Sequence, residues 1–335
     1  MTQTIGIVGA GGWGIALATV WAEKGEQVAL WCHGEQTYRD LQEKRESQAY
    51  LPGIILSPAV QVTRSLAQTV SHKSLVVYVV PSHAVREVML QARPYASPPT
   101  KMICGTKGLE EKSLKTMGEV MAEVFGEREK LRQAFLSGPT FALEVARRLP
   151  AAVTVAAYSE EVAKEIQKVI STQALRVYTS QDVVGVQMGG VIKNVIAIAA
   201  GISDGLRLGQ NARAALMTRG LAEMTRLAVH MGADPLTLAG LPGVGDLILT
   251  CTGGLSRNRQ VGVQIAEGKS VDEITQGTQM VAEGIRNTRS VWLLARRLGV
   301  EMPIVEQMYR VIYEQKKPSE AVRDLMQRSL KPEKV

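Results

Sequence analysis

Apolar residues follow two different rhythms along this chain, and the change comes just past its middle. In the first half, short apolar runs recur: Thr4-Ile5-Gly6-Ile7-Val8, QVALW at 27–31, LVVYVV at 75–80, KMICG at 101–105, AFLSG at 134–138 and AAVTVAA at 151–157. Runs of this length bounded by turn residues predict buried strands. Between them apolar residues return at helical spacing, as in Ile15, Leu17, Ala18, Trp21 and Ala22. Strand alternating with helix predicts a parallel, doubly wound sheet, whose ligands bind beyond the carboxyl ends of the strands. From about Val184 the strand runs fade, and the hydrophobic period predicts helices over 185–206, 212–231, 283–299 and 303–315. At 335 residues the chain exceeds what one core usually supports, so two domains are expected, 1–184 with the sheet and 185–335 all helical.

The first strand run leads straight into GIVGAGGWGIALA, residues 6–18. The spacing Gly9-x-Gly11-x-x-Gly14 lets a strand turn sharply into a helix and lets a pyrophosphate rest on backbone amides at the helix N-terminus. Strand, spacing and helix together predict a Rossmann-type dinucleotide site. The residues following each later strand become site candidates: Pro81-Ser82-His83, Thr106-Lys107-Gly108 and Gly138-Pro139-Thr140. After the second strand, where an acid would bind the ribose 2′-hydroxyl of NAD, stand Trp31, Cys32, His33 and Gly34, with no acid before Glu35. An imidazole tolerates a 2′-phosphate, so use of NADP is expected beside NAD, unless His33 is simply a loop histidine.

Composition narrows the class. With 45% apolar and 21% charged residues the chain reads as a globular protein. Cys32, Cys104 and Cys251 are widely separated and form no Cys-x-x-Cys pair, which suits a reducing cytoplasm and predicts neither a disulfide framework nor a metal site. Met1 to Thr4 has neither the basic nor the apolar stretch of a signal peptide. The most apolar stretch, GVIKNVIAIAAGI, carries Lys193 and Asn194, so no membrane insertion is expected. The net charge of +7 comes from scattered pairs such as Arg147-Arg148, without aromatic interleaving. That pattern predicts no nucleic-acid partner and suits anionic small molecules.

Two polar groupings break the helical half. Lys193 lies among Gly, Ala, Val and Ile, where an unpaired ammonium is costly to bury. It must snorkel out, find a partner, or act as an acid or base with a lowered pKa. The second is LPGVGDLILTCTGGLSRNRQVG at 241–262, with Asp246, Ser256, Arg257, Asn258 and Arg259. Arg257 offers a planar fork for phosphate. The alternative for this segment is a helix N-terminus capped by Ser256, with solvated arginines.

Read together, the ordered segments GAGGWG, YLPG at 50–53, VVPSHAVR at 79–86, TKG at 106–108, SGPTFALE at 137–144, KN at 193–194, GVGDL at 243–247, TCTGG and SRNR resemble the bacterial-type NAD(P)-dependent glycerol-3-phosphate dehydrogenases over nearly the whole chain. The resemblance implies a helical half of the 6-phosphogluconate dehydrogenase-like type. It also implies reduction of dihydroxyacetone phosphate by NADH or NADPH to sn-glycerol 3-phosphate, the backbone precursor of phospholipids. It makes Lys193 the general acid/base. Substrate falls to Lys107, Gly138, Thr140, Asp246, Ser256, Arg257 and Asn258. The cofactor falls to Gly9, Gly11, Gly12, Trp13, Gly14, His33, Tyr50, Lys107, Ala142, Arg257, Val281 and Glu283. Gly12 and His33 depart from the Ser or Ala and the Arg that the family often has. The expected partner is a phosphorylated small molecule, and an apolar face on the helical half suggests a homodimer. Competing expectations are a 6-phosphogluconate or 2-dehydropantoate reductase type, and an NAD(P)H-binding redox regulator without turnover. The last leaves Lys193 and Asp246 without a role, and His83 is the acid next in line should Lys193 fail.

Overall fold

The computed structural model describes residues 2–96, 98–276, 283–330, 332 and 333. Among the described residues eight strands form one sheet: β1 (Thr4–Val8), β2 (Gln27–Trp31), β3 (Val60–Thr63), β4 (Leu75–Tyr78), β5 (Lys101–Cys104), β6 (Gln133–Ser137), β7 (Ala151–Ala157) and β8 (Leu175–Ser180). Their order is β3-β2-β1-β4-β5-β6-β7-β8. β1 sits between β2 and β4, in register Val8↔Trp31 and Val8↔Tyr78. The chain thus reverses direction across the sheet beside β1, where doubly wound folds open a ligand crevice.

One expectation is corrected: the sheet is not wholly parallel. β7 runs antiparallel to β6, with Ala134 opposite Ala157 and Ser137 opposite Thr154. After β6 the chain stays at the carboxyl end of the sheet, where a short helix, Ala142–Ala146, packs on the helix that follows β1. It therefore re-enters the sheet from that same end. The strand runs at 75–80, 101–105 and 134–138 also end one or two residues earlier than read.

The helices used below are α1 (Gly12–Glu23), α2 (Val85–Ala92), α3 (Met117–Phe125), α4 (Glu160–Ile170), α5 (Val183–Gly205), α6 (Gly209–His230), α7 (Asp246–Thr252), α8 (Arg257–Ala266), α9 (Glu283–Leu298), α10 (Pro303–Tyr313) and α11 (Pro318–Met326). α1 and α4 cover one face of the sheet, where Ile7, Leu17, Trp21, Leu30 and Ile170 share a core. α2 and α3 cover the other, with Tyr78, Met89, Val120 and Phe135. The Trp21 indole ties α1 to α4 by donating to the Ile170 carbonyl at 3.1 Å.

α5 is the axle of the helical half. Asp182 caps it, accepting from Gly185 N–H at 2.7 Å. By length and composition it could cross a membrane, but it lies buried inside the protein with α6, α7, α8, α9 and α10 packed on it. An apolar helix surrounded on all sides is what a core helix needs to be. The three cysteines are free and buried, and burial pushes the Cys32 and Cys251 thiols up to about 12.

Candidate active site

The glycine turn joins β1 to α1, and its glycines serve different ends. A Cβ on Gly14 would collide with the Gly9 carbonyl, so glycine lets helix and strand meet. Gly11, the residue before α1, is different: its φ is −75° and a Cβ there would meet nothing within 4 Å. The protein itself makes no demand for glycine at that point. The open space lies over the amides of the α1 N-terminus, where a pyrophosphate would rest. A Cβ on Gly12 would stand 3.0 Å from the Tyr50 carbonyl, 3.8 Å from Ala142 Cβ and 3.9 Å from an Arg257 guanidinium nitrogen. Four expected cofactor residues, distant in sequence, therefore meet at one point. Trp13 adjoins Gly105 at the end of β5, its Nε1 3.3 Å from where a Cβ would be. His33 stands apart from this group, exposed, its ring 5.7 Å from that of Trp31.

The second centre lies where the carboxyl ends of β5 and β6 meet α5 and α7. Lys193 is buried, 6% exposed, and its Nζ donates to Asp246 Oδ1 and to Thr250 Oγ1, both at 2.7 Å. The lysine has found a partner and does not snorkel. Lys107 Nζ donates to the other oxygen, Asp246 Oδ2, at 2.7 Å, and to the Gly138 carbonyl at 3.3 Å. One buried carboxylate thus holds two ammonium groups. Burial pushes Asp246 up, but Lys107 and Lys193 outweigh it and hold the carboxyl below its usual range. For Lys193, burial is the largest influence and Lys107 adds to it; Asp246 opposes both, leaving the ammonium lowered to about 8. Such a group holds a proton at neutral pH and can release it readily, as an acid/base requires.

Around this pair stand the other expected residues. Gly138, at φ +150°, ends β6 in a conformation that L side chains rarely adopt, and its carbonyl accepts from Thr140 Oγ1 at 3.2 Å. Asn258 Nδ2 donates to Asn194 Oδ1 at 2.9 Å, and its own Oδ1 accepts from Gly284 N–H at 3.0 Å. Ser256 caps α8, accepting from Arg259 N–H at 3.2 Å, so the capping alternative describes its hydroxyl. Glu283 begins α9 and accepts from Ser82 N–H at 3.0 Å and Ser82 Oγ at 2.8 Å. His83 beside it is exposed. Val281 lies outside the described residues. A separate cavity of about 470 Å³, lined by Ile202, Ser203, Leu216 and Met308 among others, holds none of these residues.

Three residues at the site were not singled out from the sequence. Thr250 follows Asp246 by four residues on α7, a spacing that puts both on one face and could have revealed it. Asn287 donates to the Lys107 carbonyl at 3.0 Å and the Val191 carbonyl at 3.2 Å, and nothing local in the sequence marks it. Among the described residues the Ser137 hydroxyl is buried without a partner, and it lies 2.8 Å from where a Cβ on Gly190 would stand, beside the Lys107 stem. It is a polar atom left over for a bound molecule.

Comparison with known proteins identifies the family. Residues 4–163 match the N-terminal model, and residues 182–323 the C-terminal model, of NAD-dependent glycerol-3-phosphate dehydrogenase. A protein from Geobacter sp. (strain M21) named glycerol-3-phosphate dehydrogenase (NAD(P)+) is 50% identical over 335 residues, covering 100% of both chains. One of the same name from Anaeromyxobacter dehalogenans is 51% identical over 327 residues, 98% of each chain. The crystal structure of glycerol-3-phosphate dehydrogenase from Coxiella burnetii superposes with a TM-score of 0.93 at 40% identity, covering 98% of this chain and 99% of that one. Both halves match in order and at full length, and the chain belongs to the NAD-dependent glycerol-3-phosphate dehydrogenase family.

Proposed function

We propose that this protein interconverts dihydroxyacetone phosphate and sn-glycerol 3-phosphate with NADH or NADPH, and that Lys193 is its proton donor and acceptor. The observation that carries the assignment of Lys193 is its burial between Asp246 and Thr250, with Lys107 on the same carboxylate. Gly9, Gly11, Gly12, Trp13, Gly14, Tyr50 and Ala142 would hold the dinucleotide, which when bound supplies or takes up the hydride at the substrate carbon. Reduction of a ketone leaves negative charge on its oxygen. The Lys193 ammonium neutralises that charge and delivers its proton there, and in the reverse direction the free amine takes the hydroxyl proton. Asp246 orients Lys193 by one oxygen and Lys107 by the other, so both cations face the reacting oxygen without repelling each other apart. Arg257 and Asn258, at the start of α8, supply the fork and the amide for the substrate phosphate. We place the division between the halves at 184/185, two residues into α5. We also propose a reducing, cytoplasmic setting, supported by the free cysteines, and a homodimer that covers exposed Leu208, Val229 and Leu236.

The test is direct. Purified protein mixed with NADPH and dihydroxyacetone phosphate should lose the absorbance of the reduced nicotinamide, and NADH should serve as well. Consumption only with a keto acid instead, such as 2-dehydropantoate, would overturn the substrate assignment.

A further inference from the structure

A cluster of charge at the carboxyl ends of β2 and β3 takes no part in the site described so far. Cys32 N–H donates to the Thr63 carbonyl at 2.9 Å, and the Trp31 indole donates to the Arg64 carbonyl at 3.0 Å. These two bonds hold the residue that follows β3 beside those that follow β2. The Arg64 guanidinium pairs with Glu35, and Arg39 reaches the same carboxylate at 2.9 Å from four residues along. Glu35 is the first acid after β2, and two arginines already share it. The three groups carry one net positive charge, and each side chain is close to half open to solvent or more: Arg64 51%, Glu35 48% and Arg39 62% exposed.

In a dinucleotide fold this corner receives the adenosine ribose. A carboxylate there normally accepts from the 2′-hydroxyl and repels a 2′-phosphate. Here its charge is more than cancelled. We infer that Arg64, supplied from β3 rather than from the β2 loop, is a specificity-determining residue that gives this chain its use of NADPH. The inference rests on the dinucleotide reading above and adds to it the residue that reads the 2′ position. A guanidinium binds a dianionic phosphate by two parallel hydrogen bonds. When Arg64 turns to the phosphate, Glu35 keeps Arg39 as its partner, so the exchange strands no charge. With NADH, Arg64 stays on Glu35, whose carboxylate remains available to the 2′-hydroxyl. Binding of NADPH therefore depends on Arg64, and binding of NADH does not.

Calorimetry on the full-length protein tests this with four probes: NADPH, NADH, adenosine 2′,5′-bisphosphate and adenosine 5′-monophosphate. Arg64→Ala should weaken NADPH and the bisphosphate by about tenfold or more, with the unphosphorylated partners held within about twofold. Arg64→Lys should fall between, and added salt should narrow the wild-type gap, as it does for exposed charges. Equal losses for both members of each pair, or none, would overturn the assignment of Arg64 while leaving the dinucleotide site standing. A wild-type protein that bound none of the four would overturn both.

Discussion

Lys193 carries a consequence that can be measured as a function of pH. Its ammonium is lowered to about 8 by burial, so it is mostly protonated below that pH and mostly neutral above it. Reduction needs the protonated form and oxidation the neutral one. The kcat/KM for dihydroxyacetone phosphate should therefore fall as pH rises through about 8, while that for glycerol 3-phosphate rises. Lys193→Ala should cost about two to four orders of magnitude in turnover, with dinucleotide affinity retained because the glycine turn lies elsewhere. Near-normal turnover in a folded variant would end the assignment and bring His83 forward. Arg257 poses a different question, since its guanidinium lies near Gly12 as well as at the start of α8. Arg257→Ala should weaken dihydroxyacetone phosphate by about ten- to a hundredfold, and Arg257→Lys, which keeps the charge without the fork, by less. Equal losses on phosphorylated and unphosphorylated dihydroxyacetone would assign Arg257 to the cofactor instead. Lys193 was legible in the sequence because a lone ammonium in an apolar run demands an explanation. Thr250 was legible only as a neighbour of Asp246 on one face of α7, because its bond to Lys193 exists only once α7 crosses α5.

The neighbouring crossing, of α8 on α5, depends on small residues. A Cβ on Gly262 of α8 would collide with the Ile198 carbonyl of α5 and stand 2.8 Å from Ile202 N. The close approach puts the start of α8 against Asn194, so that Asn258 can bond it. Gly262→Ala should force the helices apart at a cost of about 1–3 kcal/mol, the usual range for overpacking. It should lower the urea midpoint and raise KM for the phosphorylated substrate together. A lowered midpoint with unchanged KM would show that Asn258 does not need this packing. The same logic explains which elements the sequence revealed. Strands β1, β2 and β4 to β7 are buried between neighbours and read as apolar runs. β3 and β8 lie at the two edges of the sheet, where exposed Gln61, Arg176 and Tyr178 break up the apolar pattern over only a few residues. The direction of β7 could not be read from its residues at all, since it is set by the path of the Ala142–Ala146 segment.

The two halves of the molecule are joined through the site itself. Lys107, from the end of β5, pairs with Asp246 of α7, and Ser82, after β4, bonds Glu283 of α9. Between these lies Asn287 of α9, 1% exposed, whose amide reaches the Lys107 carbonyl and the Val191 carbonyl of α5. One side chain thus sets the height of the Lys107 backbone relative to the helix that carries Lys193. Asn287→Ala would take the donor from the Lys107 carbonyl, at a cost of about 1–3 kcal/mol for a group left unpaired, while the Val191 carbonyl keeps its bond within α5. If Asn287 were only a structural tie, the variant would lose stability and keep its kinetics once folded. If it seats Lys107, substrate KM should rise and the pH limb near 8 should shift, because Lys107 helps to lower the Lys193 ammonium. The limb should move upward as Lys107 draws away and its repulsion weakens. A pH profile that superposes on the wild type, in a variant of reduced stability, would reduce Asn287 to a fastening between the halves.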